Sequence, residues 1–214
     1  MKYLRVFIGL FLLAAGVLAG FLHSYPETWR YADVIKDYYA NASTELVGIA
    51  LTVLLVDALY EYRQNSQLKE QLIREMHSPD NGIALRAVEE LRAYNWLFDG
   101  SLKGVSLIRA NLAGCNLKGA VLDGANFTGA NLKTASFRDA SMEGVILSGA
   151  NLEGAFLRGA KLHQAVMSGA ILKNAILVSA DLEATDFSGA IFNRATQFPE
   201  GFNPIKAKAI FKNE

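Results

Sequence analysis

A five-residue phrase repeats without an insertion between residues 100 and 194, and this period constrains the fold more than any other feature of the chain. Clear copies begin at Ala110, Ala125 and Ala150. A large apolar centre recurs at every fifth position from Leu102 to Phe192, and all nineteen centres are Leu, Phe or Met. A period of five fits neither a helix nor a strand, so each unit must combine a short extended piece with a turn.

The extended piece of each unit determines which side chains point inward. The residue two before the centre is Ala in fourteen copies, and in an extended chain it faces the same side as the centre. The last residue of the unit is Gly in eleven copies, which favours a turn with positive φ. Four corners of this kind close a coil of about twenty residues. We therefore predict that residues twenty apart stack, that the interior is filled and has no pore, and that Asn111, Asn131 and Asn151 form an outward amide ladder.

The pattern Ala-(Asp/Asn)-Leu-x-x resembles the pentapeptide repeat family, in its membrane-anchored bacterial form, over about 95 of the 214 residues. The resemblance implies a right-handed quadrilateral β-helix. A leucine-rich repeat also has a period near twenty, but it does not require an apolar centre in every five residues. The predicted fold class is mixed, with an N-terminal transmembrane helical hairpin and a helical linker followed by the pentapeptide-repeat solenoid.

Two apolar stretches precede the repeats. Val6–Leu22 follows Lys2 and Arg5 and is long enough to span a bilayer, and Leu46–Val56 is a shorter second stretch. Tyrosines and a tryptophan lie between and after them, as in the aromatic belts of membrane proteins. A cleaved signal peptide is the alternative for the first run, and it would leave a soluble or secreted solenoid. The excess of basic residues flanking the outer ends of the hairpin favours cytoplasmic termini, a cytoplasmic repeat domain and a multi-pass location in the cell membrane.

The rest of the chain before and after the repeats is predicted to close the tube. One helical stripe carries Leu68, Leu72 and Met76, and it is expected to pack against a neighbouring helix or between protomers. A second helix after Pro79, capped by Asp80 or Asn81, offers Leu85, Val88 and Leu91 to cover the first coil, with Trp96 and Leu97 as a plug. At the other end Phe198 and Phe202 are placed to cover the last coil. Pro199 and Pro204 are expected to block further strand addition, and the Lys-rich end is expected to be a solvated tail.

The predicted segments are a first transmembrane helix over 1–22, a connection over 23–43, a second transmembrane helix over 44–62, a linker and cap over 63–99, the β-helix over 100–196, and a C-terminal cap and tail over 197–214.

No residue pattern indicates catalysis or a bound cofactor. The three histidines lie in different regions, and only His163 is on the tube, where its neighbours are unremarkable and a metal would need two more ligands. Phosphate loops, dinucleotide fingerprints and metalloprotease motifs are absent from the sequence. Cys115 occupies an inward Ala-type position and is predicted to be a small buried hydrophobe. We predict a non-enzyme with no cofactor, no metal and no small-molecule substrate.

The outward positions of the later coils distinguish the two halves of the tube. The residue before the centre is polar in the first coils and often apolar in the later ones. By the twenty-residue rule, under which residues twenty apart lie above one another, Ile146 stacks on Val166, Phe156 on Ile176, and Ile171 on Ile191. Exposed apolar columns favour a contact surface, although single apolar residues on a surface are common. The candidate interaction surface is Ile146, Phe156, Val166, Ile171, Ile176 and Ile191.

These observations predict a membrane-tethered scaffold for protein contacts, with a two-helix membrane anchor and either an unknown protein partner or self-association. Some members of the pentapeptide repeat family mimic DNA and protect topoisomerases, but that role needs an acidic tube. Residues 100–196 carry nine basic and seven acidic groups, so the topoisomerase-binding role is not favoured. No nucleic-acid partner is predicted, because the net charge of the chain is zero. A transport or sensing role remains an alternative, and it would require Glu45 and Asp57 to face the interior of an oligomeric bundle.

Overall fold

The computed structural model describes Ala14 and residues 31–213, with side chains for Ala14 and residues 48–213. Within residues 31–213 the helices are α1, Tyr31–Met76, and α2, Asn81–Ala93. The strands long enough to name are β1, Ile191–Phe192, and β2, Ile210–Phe211, which pair in parallel. Two compact units are present, residues 1–66 and 67–214, and each is considered by itself.

Helix α1 runs for 46 residues without interruption. We predicted a connection up to residue 43, an apolar helix over 44–62 and a separate polar helix afterwards, but the structure joins residues 31–76 in one helix. The reason is that this stretch holds a single Gly48 and no proline to break it. The predicted helix over 1–22, its alternative as a signal peptide, and residues 23–30 of the connection lie outside the described residues, apart from Ala14.

The apolar part of α1 keeps its side chains exposed. Leu51, Leu54 and Leu55 are each at least 60% exposed, and Ile49, Val53, Val56 and Leu59 are exposed as well. Within the part of the chain that the structure describes, no helix reaches the length and apolar character that crossing a membrane requires. The predicted second span is therefore not supported as a membrane-crossing helix.

Helix α2 covers the first coil of the repeats, as predicted, and the end of α1 covers it as well. Asp80 is the N-cap of α2, because its Oδ1 accepts the backbone N–H of Gly82 at 2.7 Å. Leu72, Met76, Val88, Leu91 and Leu97 are buried in one core with the repeats. A backbone hydrogen bond also joins this cap to the repeats, since the Val121 N–H donates to the Leu97 carbonyl at 2.8 Å. The open strand edges and apolar interior of the first coil are thereby covered.

Polar side chains fasten this cap to the tube. Asn81 donates from Nδ2 to the carbonyls of Asn111 and Ala113, at 3.1 Å and 3.0 Å. Lys69 Nζ lies 2.8 Å from Asp99 Oδ2 and 2.8 Å from Ser101 Oγ. Burial acts to raise the pKa of Asp99, but the hydrogen bonds from Lys69 and Ser101 outweigh it and hold that pKa at about 2. The carboxylate therefore stays ionised and paired well below neutral pH.

The repeats form a four-sided solenoid in which each coil takes twenty residues. Parallel bridges join residues twenty apart, such as Ser106 to Asn126 and Ile146 to Val166. Inward Leu and Ala side chains are fully buried from Leu102 to Leu177, and no polar or charged residue is buried in the described part of the chain. The twenty-residue stacking and the filled interior are confirmed.

Every corner of the tube from residue 104 to residue 189 has positive φ at its last position, whichever residue occupies it. Eleven of these corners are glycine, and seven are other residues: Arg109, Thr134, Asp139, Gln164, Asn174, Ser179 and Ala184. The coil geometry thus imposes the left-handed conformation on residues that rarely adopt it. Asp139 and Asn174 tolerate this conformation better than the other five residues, at which tertiary stacking overrides local preference.

Gly124 and Gly159 provide a matched test of this corner geometry. At Gly124 a Cβ atom would meet nothing within 4 Å, whereas at Gly159 it would lie 2.5 Å from Asp139 Oδ1. We expect Gly124→Ala to lower the free energy of unfolding by about 1 kcal/mol, from backbone strain alone. Gly159→Ala should cost about 1 kcal/mol more, because the Asp139 carboxylate must leave its rotamer. Chemical denaturation measures both.

The control for this pair is Asp139→Ala, which removes the clashing oxygen. In that background Gly159→Ala should cost no more than Gly124→Ala does. Equal costs for the two glycine variants in the otherwise unchanged chain would contradict the predicted clash.

The C-terminal end differs from the sequence prediction. Gln197 is not at a centre. It pairs with Ile176, one residue later than the twenty-residue rule places it. Phe198 and Phe202 pack on Phe187, as predicted for a cap. The predicted block to strand addition is wrong, whereas Lys206, Lys208 and Lys212 are exposed, as a solvated tail requires. The chain returns after Pro204, and β2 pairs with β1, with the Ile210 N–H donating to the Ala190 carbonyl at 2.7 Å. The prolines lie in the loop before β2, where they interrupt no ladder bond.

Candidate functional site

The candidate interaction surface occupies three neighbouring faces of the second half of the tube. Bridges join Ile146 to Val166, Phe156 to Ile176, and Ile171 to Ile191, so the three predicted stacks are confirmed. The six side chains are half-buried, because each one packs along its face against the coil above or below. The column of Ile171 and Ile191 continues to Ile210 of β2, which is 47% exposed. The apolar character of this face therefore extends to the end of the tube.

The outward Asn side chains form only one bond of the predicted ladder, and others bond the backbone of their own turn instead. Asn131 Nδ2 donates to Asn111 Oδ1 at 2.9 Å, which is the one hydrogen bond of the ladder among the described side chains. Asn151 instead accepts the backbone N–H of Glu153 at 3.1 Å, and Asn126 accepts that of Thr128 at 3.0 Å. An Asn or Asp side chain that bonds the N–H two residues on stabilises a turn. Apolar residues at the same position cannot make that bond.

The surface of the tube also carries ion pairs between successive coils. Lys103 Nζ lies 3.0 Å from Asp123 Oδ2, and Lys133 Nζ lies 2.9 Å from Glu153 Oε2. Burial acts to raise the pKa of Asp123, but hydrogen bonds from Ser141, Lys103 and the Glu143 backbone outweigh it and lower that pKa below its ordinary value. Opposite charges on neighbouring coils are the stabilising arrangement for stacked positions.

One group of potential metal ligands is present that the sequence interpretation missed. Ligand atoms of His163, Asp181 and Glu183 lie within 4.8 Å of one another, and His163 Nδ1 is 3.9 Å from Glu183 Oε2. The neighbours of His163 are therefore not unremarkable, and the twenty-residue rule could have found Glu183 directly above it. Asp181 Oδ1 already accepts the Glu183 N–H at 3.1 Å. All three residues reach the surface, where water competes for each ligand, and we assign no metal to them.

Cys115 is fully buried at an inward position, as predicted. Burial, with a contribution from the Glu89 carboxylate, raises the pKa of the Cys115 thiol to about 12. The thiol is therefore protonated at neutral pH. A protonated, buried thiol packs as a small apolar side chain and is a poor nucleophile.

Comparison with known proteins identifies the repeat region. The sequence model of the pentapeptide repeats matches residues 101–139, 126–164, 135–174 and 157–194. The matched residues, 101–194, make up less than half of the chain and coincide with the four-sided solenoid. Such repeats are generally structural units without catalytic groups, and the pentapeptide-repeat tube described above is the expected solenoid. No curated protein matches the sequence of this chain.

Several solved structures are similar to the pentapeptide-repeat tube. A pentapeptide repeat protein from the Arabidopsis thaliana thylakoid lumen is 32% identical, with 44% of this chain and 65% of that protein covered and a TM-score of 0.43. HetL from Nostoc sp. strain PCC 7120 is 28% identical, with 46% of each chain covered and a TM-score of 0.25. QnrB1, a plasmid-mediated fluoroquinolone resistance protein, is 21% identical, with 52% of this chain and 79% of that protein covered and a TM-score of 0.24. The chain thus spans less than two thirds of the first two proteins.

Proposed function

We propose that the chain is a non-catalytic scaffold whose pentapeptide-repeat tube binds a protein partner, or a second copy of the chain, through the apolar second half of the tube. The observation that supports it most is the set of three stacked apolar pairs on neighbouring faces: Ile146 with Val166, Phe156 with Ile176, and Ile171 with Ile191. The equivalent positions on the earlier coils carry Asn and Ser. A surface that changes from polar to apolar along one rigid rod is typical of a contact site.

We further propose that the scaffold works at a membrane, with the repeats on the cytoplasmic side. The apolar run of Val6–Leu22 and the exposed apolar side chains of α1, such as Leu51, Leu54 and Leu55, support this location. Mimicry of DNA is not proposed, because residues 100–196 carry two more basic than acidic groups.

The test replaces Phe156 and Ile176 together with asparagine and uses the full-length chain as bait. We expect Phe156→Asn/Ile176→Asn to abolish capture of the partner, or self-association of the chain, in extracts of the membrane fraction. The physical reason is that both replacements remove apolar area from one stack, while the earlier coils carry the polar residues Asn116 and Ser136 at the same position. Quantitative mass spectrometry of the captured material measures the effect.

The matched control is Ile108→Asn/Val121→Asn, which removes two apolar side chains outside the candidate surface. This control should capture as much partner as the unchanged chain. Equal capture by both double variants would contradict the proposed surface, and a chain found only outside the membrane fraction would contradict the location.

A further inference from the structure

We propose that one corner of the tube binds an acidic, partly apolar protein segment, and we call this corner the basic corner: Lys118, Arg138 and Arg158. The inference rests on the proposed scaffold function and adds the chemistry of its partner. The three residues are exposed and lie twenty apart, on three successive coils. The backbone fixes them in one column, because the Gly119 N–H donates to the Arg138 carbonyl at 2.8 Å and the Asp139 N–H donates to the Arg158 carbonyl at 3.0 Å.

The basic corner lacks the opposite charges that follow Lys103 and Lys133 on the next coil. Where Lys103 and Lys133 stand, the next coil supplies Asp123 or Glu153 within 3.0 Å. At the basic corner the next coil supplies another cation. Across residues 48–213, the side chains that the structure covers, neither Lys118, Arg138 nor Arg158 takes part in an ion pair, and Asp139 beside them takes part in none.

Stacked like charges are unfavourable, so this column destabilises the free tube. Coils are about 4.8 Å apart, and like charges placed directly opposite one another on neighbouring strands lower stability. An anionic segment laid along the column would supply the missing counter-charges and relieve the repulsion. Complementary charge of this kind sets the rate and specificity of association.

Apolar side chains beside the column indicate that the partner is a protein segment. The Arg138 guanidinium lies over the Phe156 ring, 4.7 Å from its centroid, and Phe156 stacks on Ile176. Carboxylates of a bound segment can therefore reach the cations while apolar side chains on the segment contact Phe156 and Ile176. A nucleic acid would use the cations but not the apolar stack, and three cations in one row form a short footprint for a phosphate backbone.

The experiment measures binding of a fluorescein-labelled peptide of alternating glutamate and leucine to the full-length chain in mild detergent. Fluorescence anisotropy compares the unchanged chain, Arg138→Gln/Arg158→Gln, and the control Lys133→Gln/Lys173→Gln. The control removes the same charge from a different corner. We expect the first variant to weaken binding about tenfold or more and the control to change it less than about twofold. Thermal melts establish that both variants remain folded.

The outcomes separate the alternatives. No measurable binding to the unchanged chain, or equal loss in both variants, would overturn the proposal, as would tighter binding of a short DNA duplex than of the peptide. Selective loss in Arg138→Gln/Arg158→Gln supports it. The peptide assay needs no natural partner. If the bait experiment captures no partner, the proposed scaffold function fails, but the peptide measurement still tests the basic corner.

Discussion

Replacing Phe127 with alanine is expected to lower the free energy of unfolding by about 3–5 kcal/mol. Phe127 is fully buried inside the tube, and its ring packs edge to face with Phe137 at a centroid distance of 6.1 Å. The coil above and the coil below are held by backbone bridges, so the walls cannot collapse into the space that the ring leaves. The cost therefore includes both the lost burial and the cavity. Chemical denaturation followed by circular dichroism measures it.

Phe98→Ala is the matched control for this substitution. Phe98 is 40% exposed on the N-terminal cap, so its removal leaves no closed cavity and should cost no more than about 2 kcal/mol. Equal losses from the two substitutions would contradict a solid, rigid interior. They would indicate instead that the coils adjust to the missing ring.

Leu91→Ala in α2 is the second substitution with a large expected effect. Leu91 is fully buried between α2 and the first coil, and its truncation should lower the free energy of unfolding by about 2–5 kcal/mol. The cap covers strand edges and apolar interior, so loosening it should also increase self-association. Denaturation and size-exclusion chromatography at several concentrations measure the two effects.

The control on the same helix is Ile83→Ala, since Ile83 is 41% exposed. This variant should stay within about 1 kcal/mol of the unchanged chain and elute at the same volume. If Leu91→Ala behaved like Ile83→Ala in both measurements, α2 would not be the cap that closes the tube.

The repeats could be predicted from the sequence because their period is uninterrupted. A fixed spacing between Leu102 and Phe192 leaves one stacking register, so the three stacks of the candidate surface, including Phe156 on Ile176, followed directly from counting. The same count could have placed Glu183 above His163. That group was missed because its residues were considered singly.

Features outside the strict period could not be predicted in the same way. Strand β2 pairs with β1 at an offset of nineteen residues, as Ile210 does with Ile191, and a loop with two prolines intervenes. The continuity of α1 through residues 31–76 depends on helix propagation. The prediction placed its boundaries at the ends of apolar stretches and did not consider propagation. The amide ladder shortened to one bond because Asn151 bonds its own turn.

Hydroxyl-radical footprinting of the complex that the full-length chain captures tests the scaffold account most directly, because it reports which side chains the partner covers. We expect oxidation of Phe156, Ile176 and Ile191 to fall on binding, while oxidation of Ile108 and Tyr94, toward the other end of the tube, stays unchanged. Protection of Ile108 and Tyr94 with undiminished oxidation of Phe156 and Ile176 would place the partner on the polar half of the tube and contradict the account.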